Sequence, residues 1–209
     1  MQIKQIDIAG TRGYQFDNFY ENPEFILNHI ISTPPRKTGI NLSESNGVYY
    51  EDMRHQRFVP KLKWYEDVIT ETVGGIENTA KEPALFTNFM KWNRDSFNSY
   101  KTHYWYPHFD TYWTFILYLN PTEKNNGTNI YKPVDNYWQD VQTKTVEHIT
   151  PWHPKEHYEV VDYFEPVFNR GYAFQSSRLL HGAAVNDETY FDDVFRLNQV
   201  IFFQEKNNA

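Results

Sequence analysis

Tyr106-Pro107-His108-Phe109-Asp110-Thr111-Tyr112-Trp113-Thr114-Phe115-Ile116-Leu117-Tyr118-Leu119-Asn120-Pro121 is the stretch from which the rest of the chain is best read. Its second half, Trp113–Leu119, is an apolar run that suits a buried strand, and Asn120-Pro121 closes it with a turn. Runs of the same kind recur at Leu85–Trp92, His103–Tyr106, Thr128–Tyr131, Gly171–Gln175 and Arg196–Phe203, with weaker ones around Val141–His148 and Tyr158–Tyr163. Turn residues at Asn120-Pro121 and Asn125-Asn126-Gly127 suit tight connections between consecutive strands. From about Pro83 onward the pattern therefore predicts a sandwich or barrel of short strands.

Upstream the reading is mixed. Ile3 to Ile8 alternates apolar and polar residues like a short strand. Asp17 or Asn22 then caps a helix with Pro23 in its first turn and Phe25, Ile26, His29 and Ile30 on one face, ended by Thr33-Pro34-Pro35. A second helix is expected from about Pro60 to Val73, with Leu62, Tyr65, Val68, Ile69 and Val73 at helical spacing and Gly74-Gly75 as its stop. The expectation is one domain of mainly β structure with helices (α+β): residues 1–82 form a mixed support, and 83–209 form the β core with an insertion near 132–165.

A chain of 209 residues can enclose a real core, and 18% aromatic with 22% charged residues marks it as globular. A formal net charge of -7 and no run of Lys or Arg disfavour nucleic acid, because the long-range field repels a phosphate backbone. The N-terminus leads into no apolar signal core, and no stretch approaches the roughly 20 apolar residues that span a bilayer. A cytoplasmic protein without membrane contact is expected. With no cysteine, disulfides and thiolate ligands are excluded, so any metal must be held by His and carboxylate.

His108-Phe109-Asp110 follows a strand-like run, and in extended backbone residues i and i+2 point to the same side. One imidazole and one carboxylate can then grip one ion, although a lone His-x-Asp also suits a surface turn. Downstream, Gly171-Tyr172-Ala173-Phe174-Gln175-Ser176-Ser177-Arg178-Leu179-Leu180-His181-Gly182 places a second His after an apolar strand and a turn, with Ala183 and Ala184 behind it. His181 follows Asp110 by 71 residues, which leaves room for antiparallel strands to bring the chain back, as in a jelly roll. Two His and one carboxylate on one side of a metal leave its other positions open, the arrangement of non-haem Fe(II) oxygenases. In the last strand, period 2 puts Arg196, Asn198, Val200 and Phe202 on one face. An Arg facing a barrel interior needs an anion, and a ligand carboxylate fits its planar fork; the plainer reading pairs Arg196 with Asp192 or Asp193 on an exposed edge.

His108-Phe109-Asp110, Tyr118-Leu119-Asn120, Asn126-Gly127-Thr128, His181 and Arg196, in this order, resemble the prolyl-4-hydroxylase-type branch of the 2-oxoglutarate/Fe(II) dioxygenases, in particular an offshoot found in phages and bacteria. The likeness runs from about Phe86 to Phe203. It implies a double-stranded β-helix (jelly roll) buttressed by the N-terminal helices. It further implies that His108, Asp110 and His181 bind Fe(II), and that 2-oxoglutarate chelates the metal and meets Arg196 and Tyr118 with its far carboxylate. Asn198, one pleat beyond Arg196, would be a third contact. Dioxygen would be consumed, and hydroxylation of a small molecule or peptide would be the outcome. The chain departs from the pattern in two places: Asn126-Gly127 replaces a pair of glycines, and Arg196 follows the distal His by 15 residues across an acidic loop.

Other candidates carry plainer readings. Arg178 is an alternative anion contact or a solvated turn residue. His148, His153 and His157 cluster, and His153 with His157 suits one helical face, but His153-Pro154-Lys155-Glu156-His157 lacks the order of a zinc protease motif. Tyr104, Trp105, Tyr106, Tyr112 and Trp113 flank the ligands as substrate-stacking rings or as core, and Glu188, Asp192 and Asp193 form a lid or a solvated loop. Two rivals to the oxygenase remain: a jelly-roll binding or structural protein without turnover, and a zinc-dependent enzyme on the same scaffold.

Overall fold

The computed structural model describes residues 1–32, 50–51, 54–57, 63–78, 84–87, 91–92, 99–110, 112–121, 127–139, 152–185 and 198–206. Among these the chain is mostly β. In order it forms β1 (Gln2–Ile8), β2 (Thr11–Asp17), α1 (Pro23–Ser32), β3 (Tyr50–Glu51), β4 (Arg54–Arg57), α2 (Lys63–Val73) and β5 (Ile76–Asn78). There follow β6 (Ala84–Thr87), β7 (Lys91–Trp92), α3 (Ser99–Thr102), β8 (His103–Trp105), β9 (Trp113–Tyr118) and β10 (Thr128–Pro133). The chain ends with β11 (Trp152–Pro154), β12 (Tyr158–Phe164), β13 (Arg170–Phe174), β14 (Leu180–Ala183) and β15 (Asn198–Glu205). No helix among the described residues is long and apolar enough to cross a membrane.

One large antiparallel sheet runs in the order β1-β2-β13-β9-β15-β6-β4, with β5 also pairing β15. A smaller sheet runs β12-β10-β14, and β14 is extended by a bridge between His108 and His181. The apolar run of β9 sits at the centre of the large sheet and is buried throughout. Its residues divide by period 2: Trp113, Phe115 and Leu117 join one core cluster, while Ile116 and Tyr118 join another. The first cluster also takes Ile26 of α1 and Ile69 and Val73 of α2, so the helices cover one face of the large sheet. The second takes Ile130 of β10 and Phe164 of β12, so the small sheet covers the other face. Phe164 stacks on Tyr172 of β13 at 4.4 Å and seals the two sheets together.

The helices follow the sequence with small corrections. Asn22, not Asp17, caps α1, its Oδ1 accepting from the Phe25 N–H at 3.1 Å. Phe25 is exposed; Ile26 is the residue that faces the core. Tyr65, Val68, Ile69 and Val73 of α2 pack on the sheet as their spacing predicts, and Gly74 ends the helix at φ 74°.

The strands depart further. The expected run Leu85–Trp92 is divided into β6 and β7, which belong to different sheets. β9 and β10 are not a hairpin: β9 pairs with β13 and β15, β10 with β12 and β14, so the connection between them passes from one sheet to the other. Sequence pattern gave no sign of β2, whose Gly13 and alternating polar residues hide a strand that pairs β1 and β13. The run Val141–His148 lies outside the described residues.

Candidate metal centre

The bridge between His108 and His181 builds the site. Each residue's backbone N–H donates to the other's carbonyl at 2.9 Å, the closed pair of an antiparallel ladder. Residues directly opposite in such a pair project to the same face, so both imidazoles meet, their ring centroids 4.4 Å apart. Asp110 lies two residues beyond His108 on the same side, and its N–H donates to the Ser176 carbonyl at 3.2 Å, which ties it to the chain leading into His181. Gly182 allows this closeness: a Cβ there would stand 2.5 Å from the Trp105 carbonyl oxygen and 3.0 Å from that of Tyr106. The small residues after His181, read in the sequence as room for a ligand, make room here for backbone.

One ligand atom from each of His108, Asp110 and His181 lies within 4.8 Å of the others, so the group can hold a metal ion. Nε2 of His108 is 3.6 Å from Asp110 Oδ1, and Nε2 of His181 is 3.2 Å from Asp110 Oδ2. The other nitrogen of each ring decides the chemistry. Nδ1 of His108 is 2.7 Å from the Tyr106 carbonyl oxygen, and Nδ1 of His181 is 2.9 Å from that of Leu179. A carbonyl can only accept, so both Nδ1 atoms carry the proton and, in the neutral rings, both Nε2 atoms present lone pairs. Two lone pairs and a carboxylate then converge with no donor between them, a set that a cation satisfies.

The surroundings hold this set in place. Thr114 donates its hydroxyl to Asp110 Oδ2 at 2.9 Å, and the Ser176 hydroxyl lies 2.8 Å from Thr114. The Phe174 ring meets His181 edge-on at 4.9 Å, and the Tyr106 ring leans on His108 at 4.7 Å. His181 is 8% exposed, Asp110 19% and His108 29%, so the cluster opens on the His108 side. Burial and the neighbouring His181 imidazole push the His108 ring down to about 4. Burial alone would raise the Asp110 carboxyl, but the two imidazoles beside it and the Thr114 hydroxyl hold it below the usual carboxylate range.

The remaining sequence candidates fall in several places. Tyr118 is fully buried and donates its hydroxyl to Thr128 Oγ1 at 2.7 Å, joining the two sheets. Asn198 is directly opposite Tyr118 across β9 and β15 and 2% exposed, and among the described residues its Oδ1 has no hydrogen-bond partner. Arg196 and the acidic stretch with Glu188, Asp192 and Asp193 lie outside the described residues, as does His148. Arg178 is an exposed residue of the turn before β14. His153 and His157 do not share a helical face: His153 is in β11 with Nδ1 3.0 Å from the Tyr158 hydroxyl, and His157 ends a 3-10 turn and donates to Asp135 Oδ2 at 2.7 Å. Trp105 and Trp113 are core, and Tyr104 packs with Tyr131; of the flanking aromatics considered, Tyr106 is the one against a ligand. Sequence reading missed Thr114 and the Tyr106 carbonyl. Thr114 had a faint signal, since it continues the alternate positions of Asp110 into β9, while a carbonyl has no signature at all.

No protein-family model matches this sequence, and a search of curated proteins finds no matching relative.

Proposed function

We propose that the protein is an Fe(II)- and 2-oxoglutarate-dependent oxygenase, and that its two sheets are the halves of a double-stranded β-helix. The observation that carries this reading is the pair of Nδ1–H donors tied to backbone carbonyls, which leaves both Nε2 lone pairs facing the Asp110 carboxylate. His108, Asp110 and His181 would hold the iron from one side only. Such a three-residue set suits a metal that must keep positions free for a cosubstrate and oxygen. When bound, iron with 2-oxoglutarate supplies the oxidising chemistry, coupling decarboxylation of the keto acid to succinate with hydroxylation of a substrate.

The chain's own residues do the positioning. Thr114 and Ser176 fix the Asp110 carboxylate, and the Tyr106 and Leu179 carbonyls fix the two rings. Tyr118 and Asn198, opposite each other on β9 and β15, place buried polar groups between the sheets. Arg196 is proposed for the far carboxylate of 2-oxoglutarate, with Tyr118 beside it.

The test is conversion of 2-oxoglutarate to succinate by the purified protein given Fe(II) and air. Slow, oxygen-dependent succinate formation that disappears in His181→Ala is the expected result. Metal binding without any oxygen-dependent turnover would instead favour a zinc enzyme on this scaffold, and no metal binding would favour a binding module. Arg196→Ala with unchanged 2-oxoglutarate affinity would remove Arg196 from the cosubstrate site while leaving the metal centre standing.

A further inference from the structure

Among the described residues, four that are not glycine adopt positive φ: Ala9, Asn18, Tyr106 and Asn169. Asparagine tolerates this backbone, and Ala9 stands in the two-residue turn between β1 and β2. Tyr106, at φ 42°, has neither explanation. A bulky aromatic in the left-handed region persists only where its surroundings hold it there, and such residues gather at functional sites.

The consequence of this conformation is local. At the end of β8 the chain turns back at Tyr106, and its carbonyl oxygen comes to 2.7 Å from Nδ1 of His108, two residues ahead. On the other side the backbone of Trp105 and Tyr106 lies against Gly182, where any Cβ would collide with the Trp105 carbonyl oxygen at 2.5 Å and press on that of Tyr106 at 3.0 Å. The strand carrying one imidazole thus braces the residue that orients the other.

We propose that Tyr106 is a positioning residue for the metal centre: its left-handed backbone, braced by Gly182, aims the carbonyl that holds His108 with Nε2 toward Asp110 and His181. The inference rests on the metal-centre reading above and adds the device that sets its geometry. It concerns the backbone of Tyr106, so it makes a different demand from one on the ring. Glycine and asparagine adopt this φ readily, whereas β-branched valine resists it.

Mn(II) affinity by titration calorimetry, with the melting temperature of the metal-free protein beside it, tests the proposal. Tyr106→Val is expected to bind Mn(II) roughly 10–100-fold more weakly while still folding, the range seen when the partner of a metal-ligating His is lost. Tyr106→Gly and Tyr106→Asn are expected to bind within about twofold of wild type, because they keep the carbonyl where it is. Gly182→Ala, which presses on the Trp105 and Tyr106 carbonyls while leaving the Tyr106 side chain unchanged, is expected to weaken binding by about tenfold or more, and it carries the test if Tyr106→Val does not fold. Wild-type affinity in Tyr106→Val or in Gly182→Ala overturns the proposal. So does an equal loss in the valine, glycine and asparagine variants, which would assign the effect to the ring. If wild type itself binds no Mn(II), the metal-centre reading fails and this inference with it; if wild type binds and the variants do not differ, the inference alone fails.

Discussion

Among the described residues, histidine meets carboxylate both in the buried group around Asp110 and in a pair at Asp135, and the two places differ in what each imidazole nitrogen touches. At His108, Asp110 and His181 the Nδ1 atoms are taken up by backbone carbonyls, and the Nε2 atoms converge on a carboxylate. At Asp135 and His157 the relation is reversed: Nδ1 of His157 is bound to the Asp135 carboxylate, and its ring lies flat on Tyr137 at 3.9 Å, while the nearby His153 turns its Nδ1 to the Tyr158 hydroxyl. Asp135 is 47% exposed there against 19% for Asp110, so water satisfies what the buried site leaves to a cation. Residue type and proximity do not make a metal site. The side of the imidazole left free does, and backbone geometry sets it.

The largest difference between the clusters is expected on removing an imidazole. His108→Ala or His181→Ala should weaken Mn(II) or Fe(II) binding by about 100-fold or more, exceeding the loss from an outer partner, while His153→Ala and His157→Ala leave it unchanged; titration calorimetry measures both. Equal losses from the two clusters would break the comparison.

Next in size is the support of the carboxylate. Thr114→Val keeps the shape of the side chain and removes the hydroxyl that donates to Asp110. Metal affinity is expected to fall roughly tenfold, whereas Asp135→Asn has no effect on it.

Acid separates the clusters through stability. His108 has a folded value of about 4 against 6.5 for a free imidazole. The unfolded chain therefore takes up this proton first as pH falls. The metal-free protein should lose stability from about pH 6.5 down to about 4, by on the order of 3 kcal/mol, and the loss from this group should level off below. Urea unfolding at several pH values reads this out, with a smaller slope in His108→Asn.

The smallest effect belongs to the exposed pair itself. Separating His157 from Asp135 by His157→Ala is expected to leave the calorimetric melting temperature nearly unchanged, since exposed ion pairs contribute little.

Much of this arrangement was legible in the sequence where a period carries it. The alternation that puts His108 and Asp110 on one side, and the apolar run of β9 buried on both faces, are visible in the residues. So are the helical face of α2 and its glycine stop. Pairings between distant strands were not. Nothing in the sequence around Asn120-Pro121 states that β9 and β10 lie in different sheets, because a turn signal reports a change of direction and not the partner strand. β2 was hidden because it is a partly exposed strand holding a glycine, which blurs the period that marks a strand. The imidazole orientations were illegible for a further reason: they depend on the carbonyls of Tyr106 and Leu179, and every residue has a carbonyl.

The most direct measurement of the central claim is an anomalous-scattering map of crystals grown with Mn(II). One peak is expected within bonding distance of Nε2 of His108, Nε2 of His181 and a carboxylate oxygen of Asp110, with the remaining coordination positions not filled by protein. An ion bound through Nδ1, a peak at His153 or His157 instead, or protein side chains closing the coordination sphere would contradict it.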